Sequence, residues 1–249
     1  MNAQLEEPGG KVRLYVEAPL AEGAHVEPNE GQAHYLLHVM RAKAGDRVLL
    51  FNGRDGEWLA RLDQVSKRTC TFVCEKRKRS QTGAPDLWLC FAPIKRTPAD
   101  YVVQKATELG VSVLQPVITR RTIVSRINLE RMRANAIEAA EQSDRLDVPE
   151  VREPIVLDKL LSNWDVQRRV LFCDEGGDAQ PIANALHEAT QNRFAILTGP
   201  EGGFDSAERD AIRAHGFAIP VSLGPRILRA DTAALAALAV FQALAGDWT

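Results

Sequence analysis

Apolar and polar positions change their period near residue 85. Before it, short runs alternate in steps of two. Val12 to Val16, Arg47 to Phe51, Glu57 to Val65 and Thr69 to Val73 read as strands, with Asn52-Gly-Arg-Asp-Gly56 as a hairpin turn. Gly31 to Arg41 reads as one short helix. A short-stranded barrel closes such a set. Lys76 to Asp86 is polar, contains Gly83 and Pro85, and reads as a linker. Beyond it, strands alternate with helical stretches. Strands are expected at Leu87 to Ala92, Val111 to Ile118, Arg169 to Cys173 and Phe194 to Leu197. Helices are expected at Thr97 to Leu109 (Thr97 as cap, Pro98 first), Asn128 to Gln142, Pro181 to Thr190 and Asp205 to His215. A strand from Ala218 and an apolar helix from Ala233 to Ala245 complete the series. Such alternation predicts a parallel α/β sheet. The expected division is residues 1–80 and 81–249.

Two turns in the second half carry the candidate chemistry. Leu197-Thr-Gly-Pro-Glu-Gly-Gly-Phe-Asp-Ser-Ala-Glu208 joins a strand to a helix whose start is marked by the D-x-x-E capping box of Asp205 and Glu208. Three glycines there let a ligand approach the main chain. Alone, this turn is equally compatible with a tight connection and no ligand. Leu223-Gly-Pro-Arg-Ile-Leu-Arg229 repeats the strand–turn–helix order, and both turns fall at the edge where parallel sheets bind ligands. No lysine closes either turn as a P-loop requires, the Rossmann spacing is lacking, and no G-x-S-x-G occurs.

Charge adds a partner. The net charge of −2 conceals 21 Lys and Arg against 15 Asp and Glu in residues 1–133, and 10 against 18 in residues 134–249. A basic first half points to a polyanion, although such runs also occur as plain solvated faces. The four cysteines form no C-x-x-C pair and the five histidines are scattered, so no metal site is expected. With no secretory leader and no apolar run long enough to span a bilayer, a cytoplasmic protein with reduced core cysteines is expected. Ala233 to Ala245 is apolar nearly all round, which requires cover on most sides, from this subunit or a second copy.

The chain also resembles the RsmE-type 16S ribosomal RNA uridine N3-methyltransferases of the SPOUT, or trefoil-knot, class. The matching pieces are Arg13-Leu-Tyr15, Gln104-Lys-Ala-Thr-Glu-Leu-Gly-Val111, Glu141-Gln-Ser143 with Arg145 and Pro149, Gly199 to Phe204 with Glu208, and Leu223 to Arg229 with Thr232-Ala233. They run from about Arg13 to Leu244. The resemblance implies a C-terminal SPOUT domain with a deep trefoil knot, an N-terminal PUA-like RNA-binding barrel, and a homodimer. It implies S-adenosylmethionine on Leu197, Thr198, Gly199, Gly203, Leu223, Gly224, Ile227 and Leu228. Arg229 is the first candidate for stabilising a uridine N3 anion, and Glu201 a candidate base. Arg13, Arg41, Lys95, Arg96, Arg120 and Arg145 match or neighbour its motifs and suit phosphates. Two departures stand out: Asp231 where the family commonly has glutamate, and Asp144 where it commonly has glycine.

Overall fold

The computed structural model describes residues 12–124, 126–174, 178–188 and 192–248, except for the side chains of residues 96 and 97. Two compact units emerge. The first comprises the chain up to Gly83 with Ala140–Asp147, and the second Ala84–Ala139 with the chain from Val148.

The first unit contains β1 (Arg13–Tyr15), β2 (His25–Val26), α1 (Glu30–His34), β3 (Arg47–Phe51), β4 (Glu57–Val65) and β5 (Cys70–Arg79). They form one sheet in the order β1-β3-β4-β5-β2, antiparallel except for β1 beside β3. Alternate side chains of the strands bury Leu14, Val48, Leu50, Ala60, Leu62, Phe72 and Cys74 in one core. Register shifts at three points between β4 and β5 bend this pair. The helix expected over Gly31 to Arg41 is α1 continued by a π-helical turn, Tyr35–Val39, and Arg41 ends it in the left-handed region at φ +56°.

β5 corrects the linker reading: the strand extends through the basic run to Arg79. Arg79 stands opposite Glu57 in register, and its guanidinium donates to that buried carboxylate at 2.9 and 2.8 Å. A long-range ion pair thus makes strand of a segment whose local composition reads as solvent-exposed coil.

Two arginines expected at phosphates, Arg13 and Arg145, turn their guanidinium groups into this unit instead. Arg13 Nε donates to Glu57 at 2.7 Å. Its Nη groups donate to the carbonyls of Ala140, Glu141 and Arg145, and its guanidinium lies over the Phe51 ring. Only 8% of Arg13 is exposed, so it is an interior anchor rather than a phosphate contact. Arg145 is equally engaged, with Nε and Nη2 on Asp147 and a side chain 8% exposed. Asp144 adopts φ +60°, the backbone state that favours glycine and that Asp tolerates better than most residues.

The second unit contains β6 (Asp86–Phe91), α2 (Arg96–Glu108), β7 (Val113–Ile118), α3 (Leu129–Gln142, its last turn in the first unit), β8 (Glu150–Val151), β9 (Ile155–Val156) and α4 (Leu157–Ser162). β10 (Arg169–Cys173), β11 (Gln180–Pro181), α5 (Ile182–His187), β12 (Arg193–Thr198), α6 (Ser206–Arg213), β13 (Ala218–Ser222) and α7 (Ala230–Ala245) follow. The parallel order is β11-β13-β10-β12-β6-β7-β8, with β9 beside β7. The central strands β6, β7, β10 and β12 bury near-continuous runs, as sheets covered on both faces require.

α2 begins one residue before the expected cap, with Lys95 at the N-cap and no side-chain hydrogen bond there. Pro98 still falls in the first turn, where its missing N–H has no intrahelical partner to lose. α7 packs on α2, α5 and β12, burying Ala234, Ala237, Leu238, Phe241 and Gln242. Its one interior amide is satisfied: Gln242 Nε2 donates to the Leu109 carbonyl where α2 ends, and Oε1 accepts from Asp247 N.

Candidate active site

The first glycine-rich turn leaves β12 at the buried Thr198 and is held on all sides. A Cβ added to Gly199 would stand 2.8 Å from Phe204 Cε2. Phe204 cannot readily yield, because it is buried edge-on against Phe172 with centroids 5.1 Å apart. Gly203 adopts φ +67°, and its N–H closes the turn on the Pro200 carbonyl at 2.9 Å. Asp205 then caps α6 in the capping box that the sequence marks. Glu208 does more than complete the box. It is buried, accepts from Asp205 N at 3.0 Å through Oε2, and accepts from Arg120 N at 2.7 Å through Oε1. The segment after β7 is thereby tied to the turn. Arg121 Nη1 donates to the Gly202 carbonyl and Arg120 Nη1 to Asp205, both at 2.8 Å. The Asp205 carboxyl is held below the usual range, first by the Ala207 N–H and also by Arg120.

The second turn is built differently. Leu223 and Leu228 are half-buried, whereas Gly224, Pro225, Arg226 and Ile227 between them are exposed. Gly224 adopts φ +106°, with its N–H on Ser222 Oγ at 3.2 Å. Arg229 is the N-cap of α7; its carbonyl accepts from Ala233 N and its side chain is exposed.

Both turns line one cavity of ≈ 1130 Å³ at the carboxyl edge of the parallel strands, where open α/β sheets hold ligands. Thr198, Gly199, Glu201, Gly203, Leu223, Gly224, Ile227, Leu228, Arg229 and Lys95 all line it. Leu197 does not: it is 1% exposed and packs in the core beside Phe172 and Phe204. Arg120 lies on the loop that braces the first turn. Arg41 is exposed in the first unit, and the Arg96 side chain lies outside the described residues.

Sequence reasoning missed Arg121, Ile123, Asp174 and Arg209, which also line the cavity. Asp174, at the end of β10, has a side chain 1% exposed and receives Arg209 Nε at 2.9 Å and Arg213 Nε at 2.7 Å. These pairs join α6 to β10 across 35 and 39 residues, a separation that local patterning does not report. Cys173 faces the cavity with its thiol pushed up to about 12 by burial, so it is no nucleophile near neutral pH. Among the described residues, no cluster of three His, Cys, Asp or Glu could hold a metal, and no helix is long and apolar enough to cross a membrane.

The donor set fits S-adenosylmethionine. Ile94, Leu223 and Leu228 offer apolar walls for an adenine, and the glycine turn offers main-chain groups. Glu201 and Asp231 place carboxylates around a space that must accept a sulfonium and an ammonium, whereas that of Asp174 is taken by Arg209 and Arg213.

Residues 82–242 match the family model of the RNA methyltransferase domain, and residues 28–74 that of the RNA methyltransferase PUA domain. The chain is 32% identical over 230 residues to ribosomal RNA small subunit methyltransferase E of Rickettsia conorii, covering 91% of this chain and 93% of the relative. It is 32% identical to the same-named protein of Synechocystis sp. over 93% of this chain and 77% of that one. Among solved structures, the fold superposes at TM-score 0.86 on ribosomal RNA small subunit methyltransferase E of Neisseria gonorrhoeae bound to S-adenosylmethionine, at 29% identity, covering 96% and 99% of the two chains. A methyltransferase of Legionella pneumophila with the same cofactor bound gives TM-score 0.84 at 30% identity, covering 95% and 98%.

Proposed function

The chain belongs to the ribosomal RNA small subunit methyltransferase E family, and from that premise we propose that its cavity methylates N3 of a uridine in 16S ribosomal RNA. It is an S-adenosylmethionine-dependent methyltransferase of small-subunit ribosomal RNA, with a SPOUT-type catalytic domain and a PUA-like domain. The observation that carries the reading is the pair of glycine turns opening on one cavity at the carboxyl edge of the sheet.

When bound, S-adenosylmethionine supplies an electrophilic methyl group on its sulfonium. Transfer to N3 would exchange the S–CH₃ bond for N–CH₃ and would require the N3 proton to leave. The base must be unpaired, because N3 is occupied in a duplex. Arg229, exposed at the cavity, is assigned to the O2 and O4 atoms, where negative charge grows as the proton leaves. Glu201, equally exposed there, is assigned as the acceptor of the proton. Lys95, Arg120 and the exposed Arg41 supply phosphate contacts, which fix position and carry no sequence information. The half-covered outer face of α7 with its exposed Leu244, and the exposed Trp248 just beyond the helix, support pairing with a second copy. The family's trefoil knot and a cytoplasmic setting complete the proposal.

The test is transfer of labelled methyl from S-adenosylmethionine to undermethylated small ribosomal subunits and to naked 16S RNA, with mass mapping of the product. A single N3-methyluridine is expected. Methylation of another atom would retain the enzyme class and withdraw the assigned position.

A further inference from the structure

Pockets for ligands of drug size run about 300–1,000 Å³, and this one measures ≈ 1130 Å³. Transfer to a base demands that the base enter the same space, stripped of the stacking it has in RNA. Something in the cavity must replace that stacking.

Two side chains in the lining have no packing role. Ile123 is 80% exposed and Ile227 is 85% exposed, yet both line the cavity. One follows β7 and the other sits in the second turn. A solitary exposed isoleucine requires no account. Two, from separate segments, at a cavity that must admit a planar base with apolar faces, do. Lys95, Arg121 and Arg226 are exposed beside them in the same lining.

We propose that Ile123 and Ile227 form a base clamp, their aliphatic side chains packing on the extruded uracil while Lys95 and Arg226 hold the phosphates on either side of it. The proposal rests on the cavity being the site of uridine methylation. It moves the Ile227 side chain from the cofactor wall to the substrate, and leaves that wall to the half-buried Leu223 and Leu228. The clamp is assembled from one segment braced by Arg121 on Gly202 and one that is open. The base therefore enters beside the loop that is free to adjust.

The test compares wild type with Ile123→Ser and Ile227→Ser, both exposed positions whose change leaves the core intact. S-adenosylmethionine affinity is measured by calorimetry, and kcat and KM for undermethylated small ribosomal subunits by methyl transfer. Each variant is expected to lose about tenfold or more in kcat/KM for the subunits, in line with the loss of one buried aliphatic contact, while cofactor affinity stays within about twofold and Ile→Leu restores transfer. Subunit kinetics equal to wild type would overturn the clamp, as would an equal loss of cofactor affinity. Altered sedimentation of the variants would also overturn it, by assigning the two residues to a contact between copies. Wild type that binds cofactor but methylates no RNA would instead defeat the functional reading and the clamp with it.

Discussion

The two glycine-containing turns of the catalytic unit share a cavity and differ in how they are held. Gly199 to Phe204 is fixed by its own Gly203–Pro200 hydrogen bond, by buried Phe204, by Glu208 below it and by Arg121 from another segment. Gly224 to Ile227 is exposed throughout, with Ser222 Oγ receiving its first N–H. The cofactor presents the same shape at every turnover, and a wall already in place loses no ordering entropy on binding it. RNA arrives as a folded polymer from which one base must be drawn, and it needs a wall that can yield. The contrast supports the proposed division, with the cofactor held by the braced turn and the half-buried Leu223 and Leu228, and the base entering at the open Gly224 to Ile227.

The largest expected effect comes from breaking the braced turn. Gly199→Val drives a branched side chain into Phe204 and should cost roughly 1–3 kcal/mol of stability by overpacking. It should also abolish the rise in Tm that S-adenosylmethionine gives wild type. A normal shift in this variant would show that the cofactor lies elsewhere. Glu208→Ala comes next, because it strips the acceptor from two N–H groups, Asp205 and Arg120, near a buried site. A loss of about 1–3 kcal/mol is expected in urea unfolding. Weakened cofactor binding should accompany it.

The open turn should answer differently. Gly224→Ala meets no neighbouring atom, so the whole effect is backbone strain at φ +106°, about 1–3 kcal/mol if the loop is fixed and less if it relaxes. We expect the lower end for stability and a clear fall in kcat/KM for small subunits. The smallest effect concerns acid. The Asp205 carboxyl is depressed in the folded protein, chiefly by the Ala207 N–H. Its contribution to the cap is therefore complete above its ordinary value of 3.8 and fades as pH falls through the lower folded value. Unfolding of wild type and Asp205→Asn, followed downward from pH 6, should differ by a fixed amount above 3.8 and draw together below it. A constant difference would remove the charge from the account.

What the sequence made legible was local. The Asp205–Glu208 box, the Arg169–Cys173 strand and the glycine turns are written in consecutive residues, and the structure keeps them. What it concealed was long-range. Arg13 reads as a surface cation until Glu57, 44 residues on, takes its guanidinium inside. Lys76 to Arg79 reads as coil because its strand partner lies on β4. Residues 148–168 held β8, β9 and α4, each too short for a period to show. Ala140–Asp147 joins the first unit although the helix that leads into it begins in the second. Asp144 is the instructive case: it stands where the resembling family commonly has glycine, and it takes glycine's positive φ. At the site, residue identities in the two turns were readable, but the brace of Arg120 and Arg121 was not. It depends on bonds spanning 81 to 88 residues.

Hydrogen exchange of the two turns, without and with S-adenosylmethionine, tests the division of labour most directly. The amides of Gly203, Asp205 and Arg120 should be protected already in the free protein, because each has an acceptor in place. Those of Arg226 and Ile227 should exchange rapidly, remain the faster pair with cofactor bound, and slow when undermethylated small subunits are added. Equal protection of both turns in the free protein, or full protection of Arg226 and Ile227 by cofactor alone, would contradict a braced cofactor wall facing an open substrate gate.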